Sequence, residues 1–264
     1  MSQPRVLLFG GNGRIGRLMT TSMLSRSWHV TSVIRNPRQK VSLRGLARNQ
    51  EQLSNLDILV RDLENMDLGV AERMLKDTMA TCVIFTAGSM SNPTRIDRDA
   101  AKCIIKASVN TPAVTKFLMI SFPTSRRRRA PWWDDDDYSN FLSERNSYPE
   151  IGDAKIGADE YLVTMTRQRE SRGETFQAIS LRPSWLTESP TGKVQLGKTK
   201  ALGQVARKDV ADVAVRLLSR EDTRGWFDLV QGSDDIVDAV EKVVREKIDT
   251  IEGEDIEAMY KLSD

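Results

Sequence analysis

The stretch Val6-Leu7-Leu8-Phe9-Gly10-Gly11-Asn12-Gly13-Arg14-Ile15-Gly16-Arg17-Leu18-Met19 decides the fold. Four consecutive apolar residues read as a short strand buried on both faces. Gly10, Gly13 and Gly16 then follow in the spacing G-x-x-G-x-x-G, and an amphipathic pattern begins at Arg14. Glycines let the chain turn tightly and let a pyrophosphate approach the backbone. The helix start offers free N–H groups and the positive end of the helix dipole. A strand, this turn and a helix open a βαβ unit, with Gly10, Asn12, Gly13, Arg14, Ile15 and Gly16 as expected dinucleotide contacts.

The same alternation continues down the chain. Strands are expected at Val6–Phe9, Val30–Ile34, Leu56–Val60, Cys82–Thr86, Phe117–Ser121 and Gln177–Leu181, and helices at Arg14–Ser25, Val70–Thr78, Asp97–Ser108, Ala154–Arg167 and Lys208–Leu218. Strands separated by helices predict an α/β fold, a Rossmann-like doubly wound parallel sheet covered on both faces. Two segments break the rhythm, 122–147 and 183–204, and both follow late strands. Ligands of open parallel sheets bind beyond the carboxyl ends of the strands, so both segments are expected in a small substrate lobe. The organisation expected is a single domain over 1–246 with a tail over 247–264. The acidic residues from Asp249 onward are read as a loosely docked helix.

Composition narrows the function. The 264 residues are 39% hydrophobic and 29% charged, ordinary for a globule with a real core. Lys+Arg total 39 against 37 Asp+Glu, a net charge of +2, which argues against a nucleic-acid partner bound through bulk charge. No apolar run reaches 18 residues and no secretory leader is read at the start, so no membrane partner and a cytoplasmic location are expected. Cys82 and Cys103 form no disulfide framework and have no metal-ligand spacing; no metal is expected. His29 is the only histidine, which makes a Ser-His-Asp hydrolase improbable.

The second strand identifies the cofactor's flavour. An acid at its end would bind the ribose 2′-hydroxyl of NAD; here the chain reads Val33-Ile34-Arg35-Asn36-Pro37-Arg38. A guanidinium at Arg35 suits a 2′-phosphate, with Arg14 and Arg38 adding charge, so NADP is preferred. Asp62 and Leu63 after the third strand are placed at the adenine. Ala87 and Gly88 after the fourth are small enough to let backbone lie along the cofactor.

These residues resemble the atypical short-chain dehydrogenase/reductase family, NAD(P)-binding and NmrA-like. The marks are the glycine loop, Val33-Ile34-Arg35-Asn36, Arg61-Asp62, Ala87-Gly88, the helix from Asp97 to Lys102, Ala154-Lys155-x-x-Ala158-Asp159, Leu181-Arg182-Pro183 and Arg207-x-Asp209-Val210-Ala211. The Arg128–Asp134 stretch is similar to a fungal secondary-metabolite branch, with a partial match to reductases of bridged indole-alkaloid pathways that couple iminium reduction to a Diels–Alder closure. The resemblance implies an active lysine at Lys155, with Pro183 beside the cofactor. It also implies a tyrosine four residues before the lysine and a serine after the fifth strand. A phenol at i and an ammonium at i+4 share a helix face, where the ammonium lowers the phenol pKa. This chain departs there: Ile151 stands in the tyrosine's place. Tyr148 lies seven residues before Lys155, read as a rim residue or a substitute acid, and Ser147-x-x-Glu150 reads as a capping box. Ser121 is the candidate serine. Three readings stay open: a substrate such as an iminium that needs no strong acid, an acid recruited from the insertion, or lost redox chemistry.

Within 122–147, Arg126–Arg129 and Asp134–Asp137 flank Pro131-Trp132-Trp133. The two charge blocks are expected either to be solvated, to pair with each other, or to serve a substrate. Trp132 and Trp133 suit stacking on a flat or cationic substrate, with Arg129 as a donor to it; Tyr148 and Trp185 complete the expected substrate contacts. The expectation is an NADPH-dependent reductase of a hydrophobic nitrogen-bearing small molecule, an imine or iminium. A coupled cyclisation follows from the resemblance. The alternative is a non-catalytic NADP-binding regulator.

Overall fold

The computed structural model describes residues 3–262. Met1, Ser2 and the tail's residues 263–264 lie outside the described residues. Strand β1 (Arg5–Phe9) leads through the glycine turn into α1 (Arg14–Leu24), followed by β2 (His29–Ile34), two short helices α2 (Lys40–Arg44) and α3 (Gln50–Ser54), and β3 (Leu56–Val60). Helix α4 (Leu68–Thr78), β4 (Cys82–Phe85), a π turn (Thr94–Ala100) running into α5 (Ala101–Asn110), and β5 (Lys116–Ile120) complete the first half. Then come α6 (Asp135–Ser147), α7 (Pro149–Glu170), β6 (Gln177–Pro183), β7 (Trp185–Thr187), β8 (Lys193–Gly197), β9 (Gln204–Ala206) and α8 (Arg207–Leu218). Strands β10 (Gly225–Gln231) and β11 (Asp234–Asp235) precede α9 (Ile236–Arg245) and α10 (Ile256–Tyr260).

The main sheet has the order β11-β8-β10-β6-β5-β4-β1-β2-β3. From β3 to β10 every neighbour is parallel; β8 and β11 add an antiparallel edge. Strand order reverses between β1 and β4, which opens a crevice at the carboxyl ends of those strands. This is the Rossmann-like α/β fold the alternation predicts.

The period of two sorts β1 between two cores. Val6 and Leu8 join Met19 and Met23 of α1, Val210 of α8 and Val240 of α9. Leu7 and Phe9 join Met74 of α4, Ile104 of α5 and Leu162 of α7. Helix α1 buries Ile15, Met19, Thr20 and Met23 on one stripe, the 3.6-residue spacing at work. Helix α4 is capped by Asp67, whose carboxylate accepts the Val70 N–H at 2.8 Å, and ends at left-handed Met79.

Three sequence expectations differ from the structure. The helix expected from Asp97 begins as a π turn, which buries Asp97. No capping box forms at Ser147: its hydroxyl donates to Ser143 O, inside α6, because Asp134 has already started a helix upstream. Pro149 at the first position of α7 separates the two helices, with Tyr148 at φ −135°, ψ 56° between them. The tail is firmly docked rather than loose. The guanidinium of buried Arg126 donates to Thr250 O and Glu252 O and pairs with Glu254, and Thr164 Oγ1 donates to Met259 O.

Candidate active site

The glycine turn is fixed by contacts that admit no side chain. Gly10 has φ +83°, and a Cβ there would come 2.6 Å from Ala87 N; one on Gly16 would come 2.5 Å from Gly10 O. A Cβ on Gly13 would meet only Gly10 O, at 3.1 Å, so this position faces the groove. That groove, about 360 Å³, is lined by Gly10, Asn12, Gly13, Arg35, Asp62, Leu63, Ala87 and Gly88. A cradle of backbone bounded by Arg35 fits a dinucleotide. Among the described residues no carboxylate pairs with Arg35, while Asp62 Oδ1 accepts the Glu64 N–H.

Ile15 lies in the neighbouring cavity, and Gly16 serves packing. Arg14 turns away to Glu188, 3.0 Å, which also receives Arg207 at 2.7 Å. Glu188 thereby straps the start of α1 to the segment after β7. Arg38 lies outside the groove lining: the turn from Asn36, whose side chain accepts the Arg38 N–H, carries it past the groove.

Thr86, Ala87 and Gly88 line both the groove and a second, mainly apolar cavity of about 390 Å³. Its walls include Ile120, Phe122, Tyr148, Ile151, Lys155, Pro183, Trp185 and Leu186. Trp185, 44% exposed, packs edge-on against Phe122 (6.1 Å) and Tyr148 (5.9 Å), so three rings form one wall. Ile151 lines the cavity one helical turn before Lys155. Lys155 Nζ lies 3.1 Å from Asp97 Oδ1 and 3.4 Å from Ile120 O.

Ser121 borders the cavity, but its hydroxyl is engaged behind the wall. Ser121 Oγ donates to Asp159 Oδ2 at 2.5 Å, beside Ser125 Oγ at 2.7 Å and Arg182 Nη1 at 3.0 Å, and Ser180 Oγ donates to Oδ1. A carboxylate only accepts, so the Ser121 proton points into the protein and not toward a substrate.

The structure takes Arg129, Trp132 and Trp133 out of the site. Both indole N–H groups donate to Thr199 O, at 2.8 and 3.0 Å, and Trp133 packs with Ala130, Phe141 and Ala201 in a small third core. The cation over both rings is Arg126, at 5.3 and 5.2 Å. Arg129 donates to Trp133 O and pairs with Asp135. Arg127 pairs bidentately with Glu160, and Arg128 with Asp255. The aspartates begin α6: Asp134 caps it and Asp135–Asp137 sit where the dipole favours acids. Among the described residues only Arg129 and Asp135 link the two blocks, so the arginine run mainly anchors the tail.

Several cavity residues escaped the sequence reading, Glu144 chief among them. Glu144, on α6, lines the cavity, and its Oε2 is buried with no hydrogen-bond partner. Burial pushes its carboxyl above the ordinary range, opposed by a hydrogen bond from Trp185. Phe141, Glu144 and Arg145 stand at i, i+3 and i+4 on one side of α6, and Tyr148, just past the end of the helix, continues that side into the cavity.

The NAD(P)H-binding family matches residues 10–221, and the chain belongs to that family. The chain is 28% identical over 206 residues to the chloroplastic divinyl chlorophyllide a 8-vinyl-reductase of Arabidopsis thaliana, covering 73% of this chain and 42% of that protein. It thus spans less than half the length of that relative. Among solved structures it is similar to the oxidoreductase ylbE of Lactococcus lactis, with TM-score 0.71, 18% identity and coverage of 91% of this chain and 96% of that one. It is also similar to the anaerobillin reductase ChuY of Escherichia coli O157:H7, with TM-score 0.64, 19% identity and coverage of 87% and 98%. Those structural likenesses show the shared fold. No helix among the described residues is long and apolar enough to cross a membrane.

Proposed function

We propose that this protein is an NADPH-dependent reductase of a hydrophobic, nitrogen-bearing small molecule whose C=N bond, as an iminium or as an imine protonated before the hydride arrives, accepts the hydride. The observation that carries this reading is the shared edge Thr86–Gly88. There a backbone groove suited to a dinucleotide opens into a mainly apolar cavity walled by Phe122, Tyr148 and Trp185. Arg35 in the groove, with no acid at the end of β2, favours the 2′-phosphate form of the cofactor. NADPH, when bound, supplies the hydride.

The chain's own residues point to the substrate class. Hydride addition to a ketone leaves an alkoxide that needs a proton donor, commonly worth about 10²–10⁴ in rate. Ile151 offers no proton, and the Ser121 proton is held by Asp159. Hydride addition to an iminium gives a neutral amine and needs none. The resemblance to alkaloid-pathway reductases supports the same class. The names of two similar proteins, a vinyl-reductase and an anaerobillin reductase, support a reductase reading without bearing on the C=N bond. A coupled cyclisation has less support, since the Trp132–Trp133 pair expected to hold such a substrate packs elsewhere. The alternative of a non-catalytic regulator gives the apolar cavity no role. The expected compartment is the cytoplasm.

The test is isotopic. With NADPH deuterated at the transferable C4 position and a cyclic aryl iminium such as dihydroisoquinolinium, deuterium should appear at the reduced carbon. Nucleotide binding without label transfer to any C=N substrate would contradict the reading.

A further inference from the structure

The cavity's charges are unevenly matched. Three cationic side chains line it, and each has its own carboxylate outside the lining: Lys155 with Asp97, Arg145 with Asp153 (2.8 Å) and Arg207 with Glu188. Glu144 is the only acid in the lining, and no cation pairs with it among the described residues. Its Oε2 is withdrawn from water and accepts no hydrogen bond. A desolvated carboxylate oxygen with no donor is costly, and a ligand that brings a charged donor relieves that cost. A neutral ligand brings at best an uncharged donor, a weaker match than a charged one, and an anion is repelled by the oxygen.

The surroundings favour the same ligand. Trp185 and Glu144 line the same cavity, Trp185 packs edge-on against Tyr148, and both rings are more than a third exposed at the cavity rim. Aromatic faces attract cations, and flat rings pack on them. A carboxylate flanked by two such rings is complementary to a protonated or iminium nitrogen carried on an aromatic framework.

We propose that Glu144 is the specificity-determining residue of the cavity, its carboxylate receiving the cationic nitrogen of an aromatic substrate held against Trp185 and Tyr148. This deepens the reductase reading and rests on it for the identity of the cavity as a substrate site. Recognition here is an equilibrium property, so it is testable without turnover.

The probes are three ligands of nearly equal shape: naphthylmethylammonium, naphthylmethanol and naphthylacetate. Each is titrated by calorimetry into the full chain at neutral pH. The wild type should bind the ammonium roughly tenfold to a hundredfold more tightly than the alcohol, and the acetate most weakly. Glu144→Gln should abolish the gap between ammonium and alcohol while leaving NADPH affinity unchanged and the melting temperature no lower. Glu144→Asp should keep part of the gap. Equal affinities for ammonium and alcohol in the wild type would overturn the proposal, as would undetectable ammonium binding or a gap that survives Glu144→Gln. If the gap survives that substitution while imines are still reduced, the proposal fails and the reductase reading stands. Glu144-dependent ammonium binding with no NADPH oxidation on any substrate would uphold Glu144 as the recognition residue and overturn the reductase reading.

Discussion

Lys155 Nζ and Asp97 Oδ1 lie 3.1 Å apart, joining α7 to the π turn at the place where groove and cavity meet. A Cβ on Gly88 would come 3.0 Å from that same Asp97 oxygen, and Asp97 Oδ2 accepts the Ser89 N–H at 2.8 Å. The lysine therefore neutralises a buried acid that shapes the cofactor side of the site.

Removing the lysine should accordingly weaken the fold as well as the chemistry. Asp97 is 3% exposed, and Lys155→Met would leave its charge unpaired. We expect a loss of about 3 kcal/mol in urea denaturation, with most of it recovered by adding Asp97→Asn. An unchanged stability of Lys155→Met would show that the pair carries no weight.

Nucleotide preference should follow Arg35. The wild type should bind NADPH more tightly than NADH, and Arg35→Asp should narrow or reverse a gap of roughly tenfold to a hundredfold, the worth of a charge-assisted phosphate contact. Calorimetric titration of both nucleotides checks this; equal dissociation constants in the wild type would refute it.

The two kinds of tryptophan should separate cleanly. Trp133, 3% exposed, fills the small core with Phe141, so Trp133→Ala should cost about 3–5 kcal/mol while sparing ligand affinity per folded molecule. Trp185→Ala should leave the melting temperature nearly unchanged and weaken binding of aromatic ligands. The reverse pattern would return the Trp132–Trp133 pair to the substrate.

Sequence periodicity made the sheet legible, because a strand buried on both faces and a helix with one apolar stripe leave different spacings. The glycine loop was legible for a related reason: Gly10 and Gly16 have no room for a Cβ. The insertion was not. A charge run looks the same whether solvated or anchoring, and Arg126 is buried beside Thr250, Glu252 and Glu254, the last of them 128 residues away in sequence. Glu144 was hidden because α6 is polar on nearly every side, so its inward face left little apolar signal. Ser121, the candidate serine at the end of the fifth strand, borders the cavity, but the direction of its proton depends on Asp159, which sequence could not assign to it.

A pH dependence follows from Asp228. Its Oδ1 accepts from Arg182 and Thr250, its Oδ2 has no partner, and burial pushes the carboxyl from 3.8 up to about 6 against the pull of Arg182 and Arg126. Between those values the folded state holds a proton that the unfolded chain has released, so this group's contribution to stability falls as pH rises through the window. The drop amounts to about 3 kcal/mol. Other carboxylates titrate there too, so the comparison is with Asp228→Asn. The stability advantage of wild type over that variant should shrink from pH 4 to pH 6, and an advantage that grows would contradict the assignment.

The most direct measurement of the central claim is the ratio of kcat/KM for matched C=N and C=O substrates, dihydroisoquinolinium against tetralone, followed by NADPH oxidation. With Ile151 in place of a phenol and the Ser121 proton turned toward Asp159, the iminium should be preferred by about 10² or more. Brisk ketone reduction with no preference for the iminium would contradict the account and make Tyr148, on the cavity rim, the first residue to examine as a proton donor.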